Sequence, residues 1–164
     1  MNVRVGIGYD VHPFVADRPL VLGGVTVPSS RGLAGHSDAD ALAHAVADAL
    51  LGALALGDLG SHFPDTDPAY AGASSLKLLA RVRDLVRGKG YHVGNVDATI
   101  VTEEPKLAPH VAAMREHLAE ALGVNAGRVS VKATRHEKMG AFGRGEGLAA
   151  MAVVLVHREN AETA

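Results

Sequence analysis

A chain of 164 residues is long enough for one domain with a sizeable core and too short for a second catalytic domain beside it, so a single catalytic domain over 1–164 is expected. Apolar residues make up 48% but aromatics only 4%, which leaves an interior of Ala, Val, Leu and Gly that packs thinly and leans on a partner subunit. A formal charge of −2 gives no bulk attraction to nucleic acid or an anionic membrane, and the absence of cysteine excludes disulfides, thiolate zinc clusters and a Cys nucleophile, so any metal sits on nitrogen and oxygen.

Residues 3–9 read as a buried strand that begins without the charged-then-apolar pattern of a signal peptide. No apolar run approaches the roughly 18 residues of a membrane span. A cytoplasmic protein is the expectation. Residues 19–27 read as two short strands around the turn signal Gly23-Gly24. Residues 38–56 carry the strongest helical pattern: Ala41, Leu42, Ala45, Val46, Ala49, Leu50 and Ala53 recur at three and four, with Ser37 or Asp38 as cap. Asp40, His44 and Asp48 fall on another stripe of the same helix. Residues 57–68 form a loop rich in Gly, Pro and Asp. Helices are expected over 74–89, ended by Gly90, and over 106–122, with Pro109 in the first turn and Gly123 beyond the last. Strands are expected over 96–102, 129–133 and 148–157. This order points to an α/β (α+β) layered sheet with helices on one face.

Several clusters carry chemistry. Asp10 and His12 lie two apart on an extended segment and therefore point the same way. With His44 from the helix they supply the three nitrogen and oxygen ligands of a tetrahedral zinc site with one open position. Each also has an ordinary role, as a turn residue after a strand or a hydrogen-bonded core histidine. Asp40 and Asp48, one turn either side, are placed to orient His44 or the neighbouring loop, or else face solvent. His36-Ser37 precede a helix start, where backbone N–H groups favour a phosphate; the alternative is a loop histidine without a task. Asp58, Asp65 and Asp67 form either a ligand loop or ordinary Asx turns. Thr134-Arg135-His136-Glu137-Lys138 at a strand end suit a phosphate and a Mg²⁺, or an ordinary polar turn. His136-Glu137 is not a zincin motif, because Gly140 stands where the second histidine is needed. Gly143-Arg144-Gly145-Glu146-Gly147 can hold an anion, but a β-hairpin loop is the favoured reading.

Together these segments resemble a known family. Gly6-Ile7-Gly8-Tyr9-Asp10-Val11-His12, Gly35-His36-Ser37-Asp38-Ala39-Asp40, Gly57-Asp58-Leu59-Gly60, Phe63-Pro64-Asp65-Thr66-Asp67-Pro68, Gly94-Asn95-Val96-Asp97, Pro105-Lys106, Val131-Lys132-Ala133-Thr134, Glu137-Lys138 and Gly143-Arg144-Gly145-Glu146-Gly147 run from end to end of the chain. They are similar to the 2-C-methyl-D-erythritol 2,4-cyclodiphosphate synthase family of the non-mevalonate isoprenoid pathway. The resemblance implies a ferredoxin-like subunit and a homotrimer with active sites at its interfaces. It also implies the reaction: the 2-phosphate of 4-diphosphocytidyl-2-C-methyl-D-erythritol 2-phosphate attacks the β-phosphorus, and CMP leaves.

Carried over by position, Asp10, His12 and His44 resemble the ligands of Zn²⁺, and Glu137 that of a Mg²⁺ or Mn²⁺. Asp58 resembles the group that holds the ribose hydroxyls. Residues 102–108, including Thr102, Lys106, Leu107 and Ala108, resemble the segment whose backbone reads cytosine. His36, Thr134 and Arg135 are expected to support the transition state. Ser37, Gly60, Phe63, Asp65, Asp67, Ala133, His136 and Arg144 complete the expected substrate contacts. The family commonly has a run of threonines where this chain has Thr134-Arg135-His136, so Arg135 is expected to replace a neutral donor with a charged one. Two other readings remain at this point: a metal-dependent nucleotide hydrolase, and a non-catalytic trimer that binds metal or isoprenoid diphosphate. Retention of Asp10, His12, His44 and Glu137 together favours the synthase over a pure binding scaffold.

Overall fold

The first strand, β1 (Val3–Ala16), alternates large apolar residues with small or polar ones, and Gly6 and Gly8 share a face with Asp10 and His12. The computed structural model, which describes residues 2–158, lays α1 (Ala41–Ala53) directly on those glycines. A Cβ on Gly6 would stand 1.9 Å from the Ala49 carbonyl oxygen, and one on Gly8 would stand 1.9 Å from that of Ala45. Only a strand without side chains here lets a helix backbone come so near. Ala45, Ala49 and Ala53 give the matching small face of the helix, and all three are buried.

Further along the chain come β2 (Leu20–Leu22), β3 (Val25–Val27), β4 (Arg31–Leu33), α2 (Leu59–His62), α3 (Ser75–Gly88), β5 (His92–Val101), α4 (Val111–Leu122), β6 (Val129–Thr134), α5 (Gly140–Gly143) and β7 (Gly147–His157). Five strands form one sheet in the order β4-β1-β7-β5-β6, and β2 and β3 form a separate hairpin. Neighbours are antiparallel except β5 and β6, which run parallel and are joined through α4. A parallel pair needs such a crossover. On one face α1 packs on β1 and β7, α3 on α1, and α4 on α3 and β6. The result is a mixed α+β fold with its helices on one side, as expected. Leu42, Leu50, Leu51, Leu79, Ile100, Met114, Leu118 and Leu148 fill the core between these layers. Among the described residues no helix is long and apolar enough to cross a membrane.

The opposite face is bare. Val3, Val5, Ile7, Tyr9 and Val11 of β1 and Met151 and Val153 of β7 stand 43–65% exposed. A continuous apolar strip of this kind marks an interaction surface rather than scattered surface residues.

Some expectations shift. β1 runs past Tyr9 to Ala16, because β7 pairs with it as far as Pro13 and β4 continues the ladder from Phe14. α1 begins at Ala41, not 38: the cap is Asp40, whose Oδ1 accepts the Ala43 N–H at 3.0 Å. The helix expected from 106 starts as a 3₁₀ turn over Ala108–His110 and becomes α-helical at Val111; Gly123 ends it in the left-handed region at φ 67°. The loop over 57–68 contains α2, capped by Asp58. The 143–147 segment is not a hairpin loop, because β6 and β7 are not neighbours: β5 lies between them. β4, with only three residues, has too short a pattern to be read beforehand.

Replacing Gly8 with Ala is expected to cost about 3 kcal/mol by lifting α1 from β1. An unchanged denaturant midpoint would show that the helix is not seated on this strand.

Candidate active site

The inward pleat that seats α1 also aims Asp10 and His12 at the helix, where His44 precedes Ala45. His12 Nε2 lies 2.8 Å from Asp10 Oδ2, and His44 Nδ1 lies 3.1 Å from the same oxygen. One ligand atom from each of the three residues falls within 4.8 Å of the others. The expected period-two pairing and its helical third member are therefore brought together.

The imidazoles are held from behind. His12 Nδ1 donates to the Ala34 carbonyl at 2.6 Å, which leaves Nε2 for the centre. His44 Nε2 lies 2.8 Å from Ser75 Oγ and 3.3 Å from Ser37 Oγ. Burial opposes ionisation of Asp10, yet its bonds to His12 and His44 outweigh that and hold its carboxyl well below the usual carboxylate range. Burial also disfavours a charged His12, but its bond to Asp10 pushes its pKa above the ordinary value. Among the described residues, two imidazole nitrogens and a carboxylate oxygen thus converge with only one another as partners. That donor set fits a divalent cation and leaves room for a further ligand.

The centre forms the floor of a cleft of about 530 Å³ that also takes in His36, Ser37, Asp48, Asp58, Gly60, Phe63 and Asp65. Asp48 Oδ1 accepts the Leu59 N–H at 2.7 Å, so it orients the neighbouring loop and not His44; burial, against that bond, raises its pKa. Asp40 does neither. It is fully buried and accepts from the N–H groups of Gly23 at 2.9 Å, Gly24 at 2.7 Å and Ala43. Burial pushes its pKa up and these three donors oppose the shift. Asp58 accepts from both the hydroxyl and the N–H of Ser61, at 2.6 and 2.8 Å, and these bonds lower its pKa. Asp67 joins through its backbone: its carbonyl lies 3.1 Å from His36 Nε2, while its side chain accepts the Ala69 N–H.

The remaining expected residues form a second group. The Thr102 N–H donates to the Thr134 carbonyl at 3.1 Å, and the Lys138 N–H donates to Glu103 Oε1 at 3.1 Å, so 102–108 lies beside 134–138. Lys106 and Ala108 are exposed and Leu107 is buried. Ala133, Thr134, Arg135, His136 and Glu137 are exposed; Arg135 Nη2 stands 3.9 Å from Glu137 Oε1, and the His136 ring meets Phe142 edge-on. Arg144 donates to Glu146 at 2.6 Å. The register sets this group apart from the triad: Asp10 pairs with Ala150, Ala150 with Ile100, and Ile100 with Ala133. Three strand spacings amount to roughly 14 Å.

Sequence reasoning missed three contributors. Ser75 and Asp38 stand behind His44, and Arg18 donates to the carbonyls of Gly35 at 2.6 Å and Ser37 at 2.8 Å, fixing the strap that bears His36. A serine at a helix start reads as a cap, so nothing local pointed to Ser75.

A sequence model of the YgbB family matches residues 3–157. The chain belongs to the YgbB family. This YgbB-family chain is 60% identical over 157 residues to the 2-C-methyl-D-erythritol 2,4-cyclodiphosphate synthase of Geotalea uraniireducens, across 96% of this chain and 100% of that one. A solved structure from Plasmodium falciparum, described as IspF in complex with CDP, superposes with a TM-score of 0.85 at 30% identity, over 97% of this chain and 98% of that one. The bifunctional IspDF of Campylobacter jejuni gives a TM-score of 0.92 at 41% identity; the match takes in 96% of this chain but only 42% of that protein.

Because its folded pKa is raised, His12 stabilises the metal-free fold below about pH 6.5, and that contribution is lost as pH rises through the folded value. With metal removed by a chelator, wild type is expected to melt above His12→Gln near pH 5.5, with the gap closing at higher pH. A gap that widens with pH would contradict this.

Proposed function

We propose that the chain is a 2-C-methyl-D-erythritol 2,4-cyclodiphosphate synthase, a CMP-releasing phosphorus–oxygen lyase acting on 4-diphosphocytidyl-2-C-methyl-D-erythritol 2-phosphate. The observation that carries the reading is the convergence of Asp10, His12 and His44 on the floor of a cleft shared with His36 and Asp58. Attack of one phosphate on another brings like charges together, so the site needs positive charge and alignment rather than a strong base. Zn²⁺ on Asp10, His12 and His44, with Mg²⁺ or Mn²⁺ on Glu137, supplies Lewis-acid and charge-neutralising chemistry when bound.

The chain's own groups do the rest. Asp58, ionised at neutral pH, accepts from the ribose hydroxyls, and the backbone of 102–108 reads cytosine while Lys106 reaches phosphate. His36 and Ser37 sit on the strap above the centre, and Gly60, Phe63, Asp65 and Asp67 wall the substrate. Thr134 and Arg135 support the transition state from the other side, with Ala133, His136 and Arg144 beside them. Arg135 brings full charge where a threonine would bring a neutral donor.

The working unit is a homotrimer of single catalytic domains over 1–164, each with ferredoxin-like layering. Two observations support assembly with second copies of this chain: the bare apolar strip on β1 and β7, and the separation of the two groups of site residues within one chain. Active sites at subunit interfaces reunite those groups.

Phosphorus NMR of the protein with substrate, Zn²⁺ and Mg²⁺ is expected to show a coupled pair of cyclic diphosphate resonances together with CMP, and His44→Ala is expected to abolish both. Linear products would establish a hydrolase instead, and binding without turnover a non-catalytic scaffold. Ile7→Glu, which places a charge in the apolar strip, is expected to shift the sedimenting species from trimer towards monomer. A variant that remains trimeric would exclude this face as the contact.

A further inference from the structure

His44 offers Nδ1 to the centre, so its usefulness as a ligand depends on what its other nitrogen meets. Nε2 faces Ser75 Oγ at 2.8 Å. A hydroxyl has one hydrogen, and Ser75 Oγ also meets Oδ1 of Asp38, which as a carboxylate only accepts. The Ser75 hydrogen therefore goes to Asp38, and an oxygen lone pair is turned towards His44. His44 must then carry a proton on Nε2, which leaves Nδ1 as the nitrogen that meets Asp10 and that a metal ion would take.

Burial enforces this order. Ser75 is 1% exposed, so solvent offers its hydroxyl no competing partner. Asp38 is fixed in turn: Oδ2 accepts the Ser75 N–H at 3.0 Å, Oδ1 accepts the Asp40 N–H at 3.3 Å, and its own N–H donates to the Ala73 carbonyl. Ser37 Oγ accepts the Ala39 N–H at 3.2 Å and lies farther from His44 Nε2, at 3.3 Å, than Ser75 does; its own hydrogen has Ser75 Oγ, 3.4 Å away, to donate to. His12 is set by a different device, the Ala34 carbonyl, and presents the opposite nitrogen. Neither acid on the helix stripe of His44 takes part. The imidazole is oriented by a hydroxyl at the start of α3 and by the strap that precedes α1.

We infer that Ser75 and Asp38 are positioning residues that hold His44 as its Nε2–H tautomer and thereby set the affinity of the metal centre. The inference rests on Asp10, His12 and His44 being ligands. Neither Ser75 nor Asp38 touches substrate in this scheme.

The test is competition for Co²⁺ between the full-length protein and a chromogenic chelator, on wild type, Ser75→Ala, Ser75→Thr and His44→Ala, with ¹⁵N NMR of the imidazoles in the metal-free state. Ser75→Ala is expected to weaken Co²⁺ binding on the order of 10- to 100-fold. Its His44 is expected to give signals of mixed tautomers where wild type gives Nε2–H. Ser75→Thr keeps the hydroxyl and is expected to recover most of the loss. If wild type holds Co²⁺ no better than His44→Ala, the metal reading itself is wrong. If wild type binds tightly and Ser75→Ala binds equally well, or loses affinity with its tautomer unchanged, the positioning role is overturned while the ligands stand.

Discussion

The close seat of α1 on β1 is the constraint from which the rest of the molecule follows. With hydrogen in place of a side chain at Gly6 and Gly8, the carbonyls of Ala49 and Ala45 approach the strand to distances that any Cβ would forbid. His44 is the residue before Ala45, so the same approach that buries the alanine face brings its ring to Asp10. Ligand atoms that lie within 4.8 Å of one another are near enough to hold one ion between them, and a helix held off the strand would draw His44 away from Asp10 and His12. The alternation of β1 has a second consequence. Every residue that turns Gly6, Gly8, Asp10 and His12 inward turns Val5, Ile7, Tyr9 and Val11 outward, so site and apolar face are two sides of one pleat.

The polar stripe of α1 distributes this rigidity. Asp40 at its start gathers the turn N–H groups of Gly23 and Gly24 and caps the helix with the same carboxylate. Burying that acid raises its pKa, and three backbone donors are what make the burial tolerable. One turn on, His44 faces the centre. Asp48, another turn on, holds the Leu59 N–H and so fixes the start of α2, whose cap is Asp58. A single helix thereby locates the β2–β3 turn, the Asp10, His12 and His44 cluster and the loop that bears Asp58. Each of the three groups has a different partner, although their spacing alone makes them look alike.

That is also where the sequence stops being legible. The triad was visible because strand and helix periods are local properties, and residues 3–12 and 41–53 obey them. The start of α1 was not, because Ser37, Asp38 and Asp40 are all good caps within four positions, and the choice was made by contacts with distant segments: Ser75 takes Asp38, and Gly23 and Gly24 take Asp40. Ser75 itself became visible only through the fold that places α3 behind His44. The glycines of 143–147 marked a turn correctly, but a turn does not say which strand its successor will join. β7 inserted between β1 and β5 rather than pairing back onto β6.

That insertion matters for function. Because β7 and β5 separate β1 from β6, Asp10 and Ala133 share one rung of the sheet yet sit at opposite ends of it. Along that rung β7 and β5 stand between Asp10 and the strand end that bears Thr134. The apolar strip lies on β1 and β7, across the sheet from the helices. Under the proposed trimer, rotation about an axis beside this strip would set copies of the sheet side by side, so that residues of two chains can line one site. In the proposed assembly, one contact covers the apolar strip and completes the site, and folding stability and catalysis become linked through subunit concentration.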